Sequence, residues 1–297
     1  MTMTRLIAVE FFKLRKRMMT WVVAFMLAAL IVLLYSIVWS ISGRAGSFLE
    51  DGRRVQYEDL RRGLYLEAGV PFALQIVTQF GTLLAIILAA GAAGSEYAWG
   101  TVRLMATASS GRLRLISARL IVVAALVAMG TLLAAVVALI YSTVVTATNG
   151  GVDFSFVTAS FVSDQVLAYA RTLFVVAPYV AIAFAGAIIG RSTLAGVGAG
   201  IGMAFLEPLV SGLMRLGGEP WKSMPNYLIN ANREVIILQN KLPAGLPTFG
   251  PSARDLRERG VNSPGEAAII LSVYIVAFVA LAFVVYRRRD ITAGSGG

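Results

Sequence analysis

Apolar residues run along this chain in six long blocks, and the polar residues are gathered between them. The blocks fall at about residues 21–41, 71–93, 120–145, 167–189, 193–214 and 267–286. A helix needs about 20 apolar residues to cross a hydrocarbon core of about 30 Å, and each block meets or nearly meets that length with few or no charges. The fourth has the shortest strongly apolar centre, which begins only at Leu173. A membrane barrel would alternate apolar and polar positions, whereas Val122 to Val137 is apolar almost throughout. The pattern therefore predicts an all-α integral membrane protein with six transmembrane helices in a single domain over residues 1–297. Composition agrees, since 58% of residues are apolar and 14% charged, against about 45–50% and 25% in soluble domains.

The segment 4–19 precedes the first block and predicts a separate helix. Ile7, Phe11 and Leu14 share one side, while Glu10, Lys13 and Arg17 line another. Such a helix lies in the membrane interface; the alternative is a plain extension of the first span with snorkelling Lys and Arg. Trp21 and Trp39 stand near the two ends of that span, where interfacial anchors belong. The first block is also too long, and too poor in small residues at its end, for a cleaved signal peptide.

Charge sets the orientation. Lys13, Arg15, Lys16 and Arg17 precede the first span, and Arg103, Arg112, Arg114 and Arg119 lie between the second and third. Arg191 lies between the fourth and fifth, and Arg287, Arg288 and Arg289 follow the last. Short basic flanks mark the cytoplasmic side, so both termini are expected there. The net charge of +10 reports this topology and contact with anionic membrane lipids, and no nucleic-acid partner is expected.

The opposite face carries longer loops. Residues 42–69 set Arg44, Arg53, Arg54, Arg61 and Arg62 against Glu50, Asp51, Glu58, Asp59 and Glu67. That balance suits a solvated lid or a short helix on the bundle. Residues 146–165 are rich in Thr, Ser and Gly, with Phe154, Phe156 and Phe161 interspersed. Residues 215–266 contain Pro220, Pro225, Pro243, Pro247, Pro251 and Pro264, too broken for another span. They predict an extracytoplasmic cap with short helices over 227–240 and 252–259, the latter capped by Ser252 with Asp255 at the third helical position.

Two features inside the spans carry candidate chemistry. Glu207 is followed by Pro208 about 14 residues into the fifth span, roughly 21 Å along its axis at about 1.5 Å per residue. A carboxylate at that depth faces a cavity, a partner or a pathway, and the adjacent proline bends the helix. Three roles stay open: substrate passage or gating, pairing with Arg171 or an outer-loop arginine, and a shallow helix end. Gly186 and Gly190, with Gly196, Gly198, Gly200 and Gly202, form small-residue stripes that suit close helix packing, within the chain or across a dimer. The chain has neither Cys nor His, which removes disulfides, thiolate metal sites, cysteine nucleophiles and the commonest general base. No metal site is expected.

Between the second and third spans, residues 94–119 form a short polar and basic segment. It reads Glu96-Tyr97-Ala98-Trp99-Gly100-Thr101-Val102-Arg103, then Gly111-Arg112-Leu113-Arg114-Leu115-Ile116-Ser117-Ala118-Arg119. Together with Phe11-Phe12-Lys13-Leu14-Arg15-Lys16 and the long loop before the last helix, this resembles the permease subunits of ABC transporters of the ABC-2 type. The resemblance covers essentially the whole chain, and its most specific element is Glu-x-x-x-Gly-Thr-x-Arg. It implies that the N-terminal helix is a connecting helix on the inner surface and that 94–119 is a coupling segment docking on a separate ATPase. Glu96, Trp99, Gly100, Thr101 and Arg103 would then form or support the docking element. Ser109-Ser110-Gly111 stands where many relatives have a proline-containing turn.

The chain lacks Gly-x-x-x-x-Gly-Lys-Ser/Thr and any cytoplasmic region large enough for a nucleotide-binding domain. The resemblance thus implies a non-catalytic permease, with ATP and Mg in partner ATPase subunits. A second permease copy or paralogue would complete the complex in a bacterial or archaeal plasma membrane. The expected activity is export, and spans built mainly from Leu, Val, Ala, Phe and Gly tilt the cargo toward hydrophobic or amphipathic molecules. Two other classes remain: an ion-coupled secondary transporter or channel using Glu207, and a lipid-modifying enzyme, which the missing His and Cys and the scattered acids disfavour.

Overall fold

Six helices are long and apolar enough to cross a membrane: Met18–Ser42, Leu66–Ser95, Leu113–Thr148, Ala159–Ile189, Thr193–Arg215 and Pro264–Arg288. The computed structural model describes residues 2–43, 47–50, 53–98, 112–149, 151–240, 256 and 260–288. Within them, α1 (Met3–Arg15) and α2 (Met18–Ser42) lead to a hairpin of β1 (Ser47–Glu50) and β2 (Arg53–Gln56), then α3 (Tyr57–Arg62). The second span is α4 (Leu66–Ile76), a π turn at Val77–Gly81 and α5 (Thr82–Ala98). After it come α6 (Arg112–Thr148), α7 (Ala159–Ile189), α8 (Thr193–Arg215), α9 (Ile229–Ile237) and α10 (Pro264–Arg288).

The spans are not equivalent. In the second and fourth, 78% and 72% of the most apolar stretch is buried, against 11–22% in the other four. These two helices are therefore the core, and the remaining four turn much of their surface outward. One apolar cluster joins α5, α7, α8 and α10 around Ile86, Tyr179 and Phe184. The other joins α2, α4 and α6 around Tyr35, Phe72 and Ala138.

Small residues set how closely the core helices approach. A Cβ at Gly196 would lie 2.6 Å from the Ala183 carbonyl oxygen, 2.7 Å from Ala187 Cβ and 2.8 Å from Ala90 Cβ. At Gly186 it would lie 2.7 Å from Ala199 Cβ, and at Gly190 it would overlap Ala195. The predicted packing glycines thus serve contacts within the chain, between α7, α8 and α5. Gly198 and Gly202, on the other side of α8, meet nothing within 4 Å.

Several boundaries differ from expectation, each for a local reason. The N-terminal helix ends at Arg15 rather than near 19, because Thr20 Oγ1 donates to the Leu14 carbonyl (2.7 Å) and Trp21 Nε1 to the Arg15 carbonyl (2.9 Å). These bonds satisfy the last carbonyls of α1 and let the chain turn at Lys16 and Arg17. The second span starts at Leu66 instead of 71: Thr146 Oγ1 accepts from Leu66 N (3.0 Å), a cap supplied by α6, and Pro71 is carried inside the helix. The fourth is 31 residues long, starting at a Thr158 cap that accepts from Phe161 N (3.2 Å). The polar interruptions at Asp164 and Arg171 do not stop it, and Arg171 finds acceptors on the chain after α9. The all-α expectation misses the small β1–β2 hairpin in the first loop.

The glycine geometry generates a paired prediction. Gly196→Ala places a methyl against backbone and Cβ atoms that cannot swing away, and should destabilise the protein by about 1–3 kcal/mol. Gly198→Ala, on the open face of the same helix, should be neutral. Thermal unfolding of both variants in detergent checks this.

Candidate functional site

Two polar assemblies interrupt the apolar bundle, one at the Ser95 end of the second span and one beside the π turn near its middle. The first gathers around the last turns of α5. Arg17 Nη1 donates to the Gly91 carbonyl (3.3 Å) and to Ser95 Oγ. A Cβ at Gly94 would overlap the backbone of Ser192 and Thr193, so the α7–α8 turn lies directly on α5 there. That turn is tight: Ser192 caps α8 by accepting from Leu194 N (3.1 Å), and Arg191 adopts φ 51°. Beside it, Arg119 of α6 donates through Nε to Glu10 Oε2 at 3.1 Å, with Glu10 2% and Arg119 5% exposed. Lys13 Nζ lies 3.5 Å from the other Glu10 oxygen.

The buried face of α1 is therefore Leu6, Glu10 and Leu14. Glu10, expected on one side of the helix with Lys13 and Arg17, thus turns that polar side toward the bundle. An i, i+4, i+8 row of two leucines flanking an acid was the available signal, matched by an arginine inside the apolar start of α6. A buried ion pair of this kind fixes register between two helices, because either charge left alone would be strongly destabilising.

Glu96 lies in the last turn of α5. Trp99, Gly100, Thr101 and Arg103 fall outside the described residues. What surrounds their segment is defined: α5 leads into it, α6 leads out of it, Arg17 of the α1–α2 turn holds α5 and Glu10 of α1 holds α6.

The second assembly lies beside the π turn, about midway along the second span. Glu207 of α8, 4% exposed, accepts through Oε1 from the backbone N–H of Asn230 at the start of α9. The carboxylate caps a neighbouring helix across space, where its charge also complements the helix dipole. Arg233 and Glu234 act on it through space. Arg233 Nη2 donates to Gln79 Oε1 (3.0 Å) from a position over the Tyr179 ring, 5.9 Å from its centroid. Gln79 sits in the π turn, a helix irregularity that often marks function. Glu207 Oε2, Tyr179 Oη, Gln75 Oε1 and Thr172 Oγ1 are buried without a hydrogen-bond partner among the described residues.

This geometry corrects one expectation for Glu207. Arg171 does not pair with it, since its Nη1 donates to the Gln239 carbonyl (3.0 Å) and Asn240 Oδ1 (3.3 Å). The carboxylate is a buried mid-helix group rather than a helix end, and Pro208 follows it inside α8 without ending the helix. Gln75 and Gln79, four residues apart in an apolar span, are the polar signal in the sequence that marks this site.

α9 is far too short to span a membrane, yet Ile229, Asn232, Arg233 and Val235 are buried. Irregular backbone beside such a helix needs partners from the protein. Asn232 Nδ2 donates to the carbonyls of Asn226 (2.8 Å) and Leu228 (2.6 Å), and Asn262 Nδ2 donates to Asn232 Oδ1 (3.0 Å). The expected helix over 227–240 is thus a 3-10 turn at Met224–Tyr227 followed by α9. Residues 252–259, predicted as a second cap helix, fall outside the described residues except for Leu256.

Six membrane-length apolar helices, with polar side chains buried between them, define an all-α, multi-pass membrane protein. Residues 47–292 match the family described as "Protein of unknown function (DUF2705)", and the chain belongs to that family. No curated protein matches the chain.

Both assemblies make testable predictions. Glu10→Ala removes the Glu10 carboxylate from the buried Arg119 and should destabilise the protein, while Glu10→Met with Arg119→Met should recover part of that loss in thermal unfolding. Glu207→Ala frees the Asn230 N–H, costing about 1–3 kcal/mol locally, and Glu207→Gln keeps an acceptor there. Hydrogen exchange read by mass spectrometry should accelerate over 229–237 in the first variant and stay near parental in the second.

Proposed function

We propose that this protein is the membrane-spanning subunit of an ATP-driven transporter of the ABC-2 type, driven by separate ATPase subunits. A transport-related role is consistent with a multi-pass helical protein that buries unpartnered polar groups between its spans. The observation that favours mechanical coupling is the junction around the end of α5. α1, α5, α6 and the α7–α8 turn are tied together where the chain enters and leaves residues 99–111. A force applied to that segment enters helices already locked to one another, so it shifts the bundle instead of bending a loop.

In this reading Glu96, Trp99, Gly100, Thr101 and Arg103 meet the ATPase: the carboxylate and guanidinium pair across the interface, Trp99 anchors it and Gly100 permits close approach. ATP and Mg bind to the ATPase, and this chain catalyses nothing. Two permease subunits, as two copies or a copy and a paralogue, stand with two ATPases in a bacterial or archaeal plasma membrane. Both termini are cytoplasmic, and transport is outward. Apolar spans favour hydrophobic or amphipathic cargo. Glu207, Pro208 and the α9 layer close the outer mouth.

A second reading rests on one observation, the unpartnered buried Oε2 of Glu207. It makes the protein an ion-coupled transporter or channel working alone.

Purification with the products of neighbouring genes discriminates the two. An ATPase should co-elute, and Glu96→Ala or Arg103→Ala should reduce its association or its transport-coupled hydrolysis about ten-fold or more while the permease stays folded, as expected of interface anchors. Unchanged coupling in both variants removes their assigned role. Transport by the isolated chain under an ion gradient, lost in Glu207→Gln, would favour the second reading.

A further inference from the structure

A laterally open groove of about 580 Å³ runs between α1, α2 and α6. Its volume falls within the roughly 300–1,000 Å³ of small-molecule sites. Arg15 and Trp21 stand at one end; Leu27, Leu126, Gly130 and Val136 line the rest. We propose that this groove binds one acyl chain of an anionic phospholipid, whose phosphate pairs with Arg15.

Length, charge and shape all point to that occupant. From Leu126 to Val136 the wall runs ten residues along α6, about 15 Å at about 1.5 Å per residue. That is the depth of one leaflet of a hydrocarbon core of about 30 Å. At the shallow end Trp21, 62% exposed, holds its indole at the α1–α2 elbow by donating to the Arg15 carbonyl (2.9 Å). This is the headgroup level, where tryptophan is enriched.

Arg15 is exposed, and its guanidinium makes no ion pair among the described residues. Lys16 beside it is also exposed, with Nζ 5.4 Å from the Phe12 ring centroid. No lining residue is acidic, and Glu10 is already held by Arg119 and Lys13. The rim therefore presents uncompensated positive charge at the depth of a phosphate, which favours an anionic over a zwitterionic headgroup. A Cβ at Gly130 would meet only Leu27 Cδ2, at 3.8 Å, so the missing side chain leaves room in the wall instead of permitting a helix contact. The proposal rests on the membrane-spanning fold alone and survives if no ATPase partner is found.

The test uses the full chain carrying Trp39→Phe, Trp99→Phe and Trp221→Phe, so that Trp21 is the sole tryptophan, in vesicles of phosphatidylcholine with phosphatidylglycerol. Acyl chains brominated on one lipid or the other quench a neighbouring indole. Brominated phosphatidylglycerol should quench Trp21 with about three- to ten-fold preference over brominated phosphatidylcholine at equal mole fraction. Arg15→Gln should abolish that preference, Arg15→Lys should keep it, and Gly130→Leu should at least halve quenching by both lipids. Equal quenching by the two headgroups in the parent, which needs no change in the groove, would overturn the proposal. So would a preference untouched by Arg15→Gln, or quenching by neither lipid, the result expected if a protein segment covers the groove.

Discussion

Within a bilayer no water is at hand to complete an unfinished hydrogen bond, so a polar group carried into the membrane is costly unless it is met from within the protein. That constraint organises this structure. Thr78, Thr82, Thr131 and Thr146 turn their hydroxyls back to carbonyls four residues earlier in their own helices, which settles an isolated hydroxyl locally. Charges cannot be settled that way, and each buried one draws in a second element: Glu10 brings α1 to α6, Arg233 brings α9 to the π turn, and Glu207 brings α8 to the start of α9. The polar contacts thus decide which helices are neighbours, while apolar contacts fill the space between them.

Lipid tails are as apolar as the helices, so the bundle gains little from hydrophobic exclusion between its own spans. Close approach replaces it. Gly186, Gly190 and Gly196 allow α7 and α8 to meet almost backbone to backbone, and Gly94 seats their connecting turn on α5. A junction built from backbone contact transmits displacement better than one built from flexible side chains, because no rotamer can absorb the motion. This stiffness lies next to the segment that would receive an ATPase.

The six spans were readable because their signal is redundant: any one of twenty apolar positions can change without hiding the block. Their ends were not, because they depend on single bonds from distant residues. Thr146 extends the second span to Leu66, and Arg171 sustains the fourth through acceptors almost seventy residues away. The same holds for the site. Glu207 stood out in the sequence because a carboxylate inside an apolar span is conspicuous, but its partner is a backbone N–H, which every residue but proline carries. Glu10 reads as an ordinary acid of a charged, amphipathic helix; only its burial against Arg119 distinguishes it. The β1–β2 hairpin is short and lies in a charge-balanced loop whose composition suits a helix equally well.

The second span connects the two polar assemblies. Its Ser95 end holds Gly91, Gly94 and Ser95 in the junction with the α1–α2 turn and the α7–α8 turn; its π turn holds Gln79 against Arg233. From Ser95 to Gln79 the helix runs sixteen residues, about 24 Å, mostly packed among α7 and α8. A packed helix of that length, shifted at its Ser95 end, carries the displacement up to the π turn that holds Gln79. In the proposed transporter a displacement at the coupling segment therefore arrives at Gln79 and loads the Arg233 contact, which is one of the bonds holding α9 in place. Glu207 acts on the same short helix from α8, so two spans hold α9 and, in the proposed transporter, both would have to move to release it.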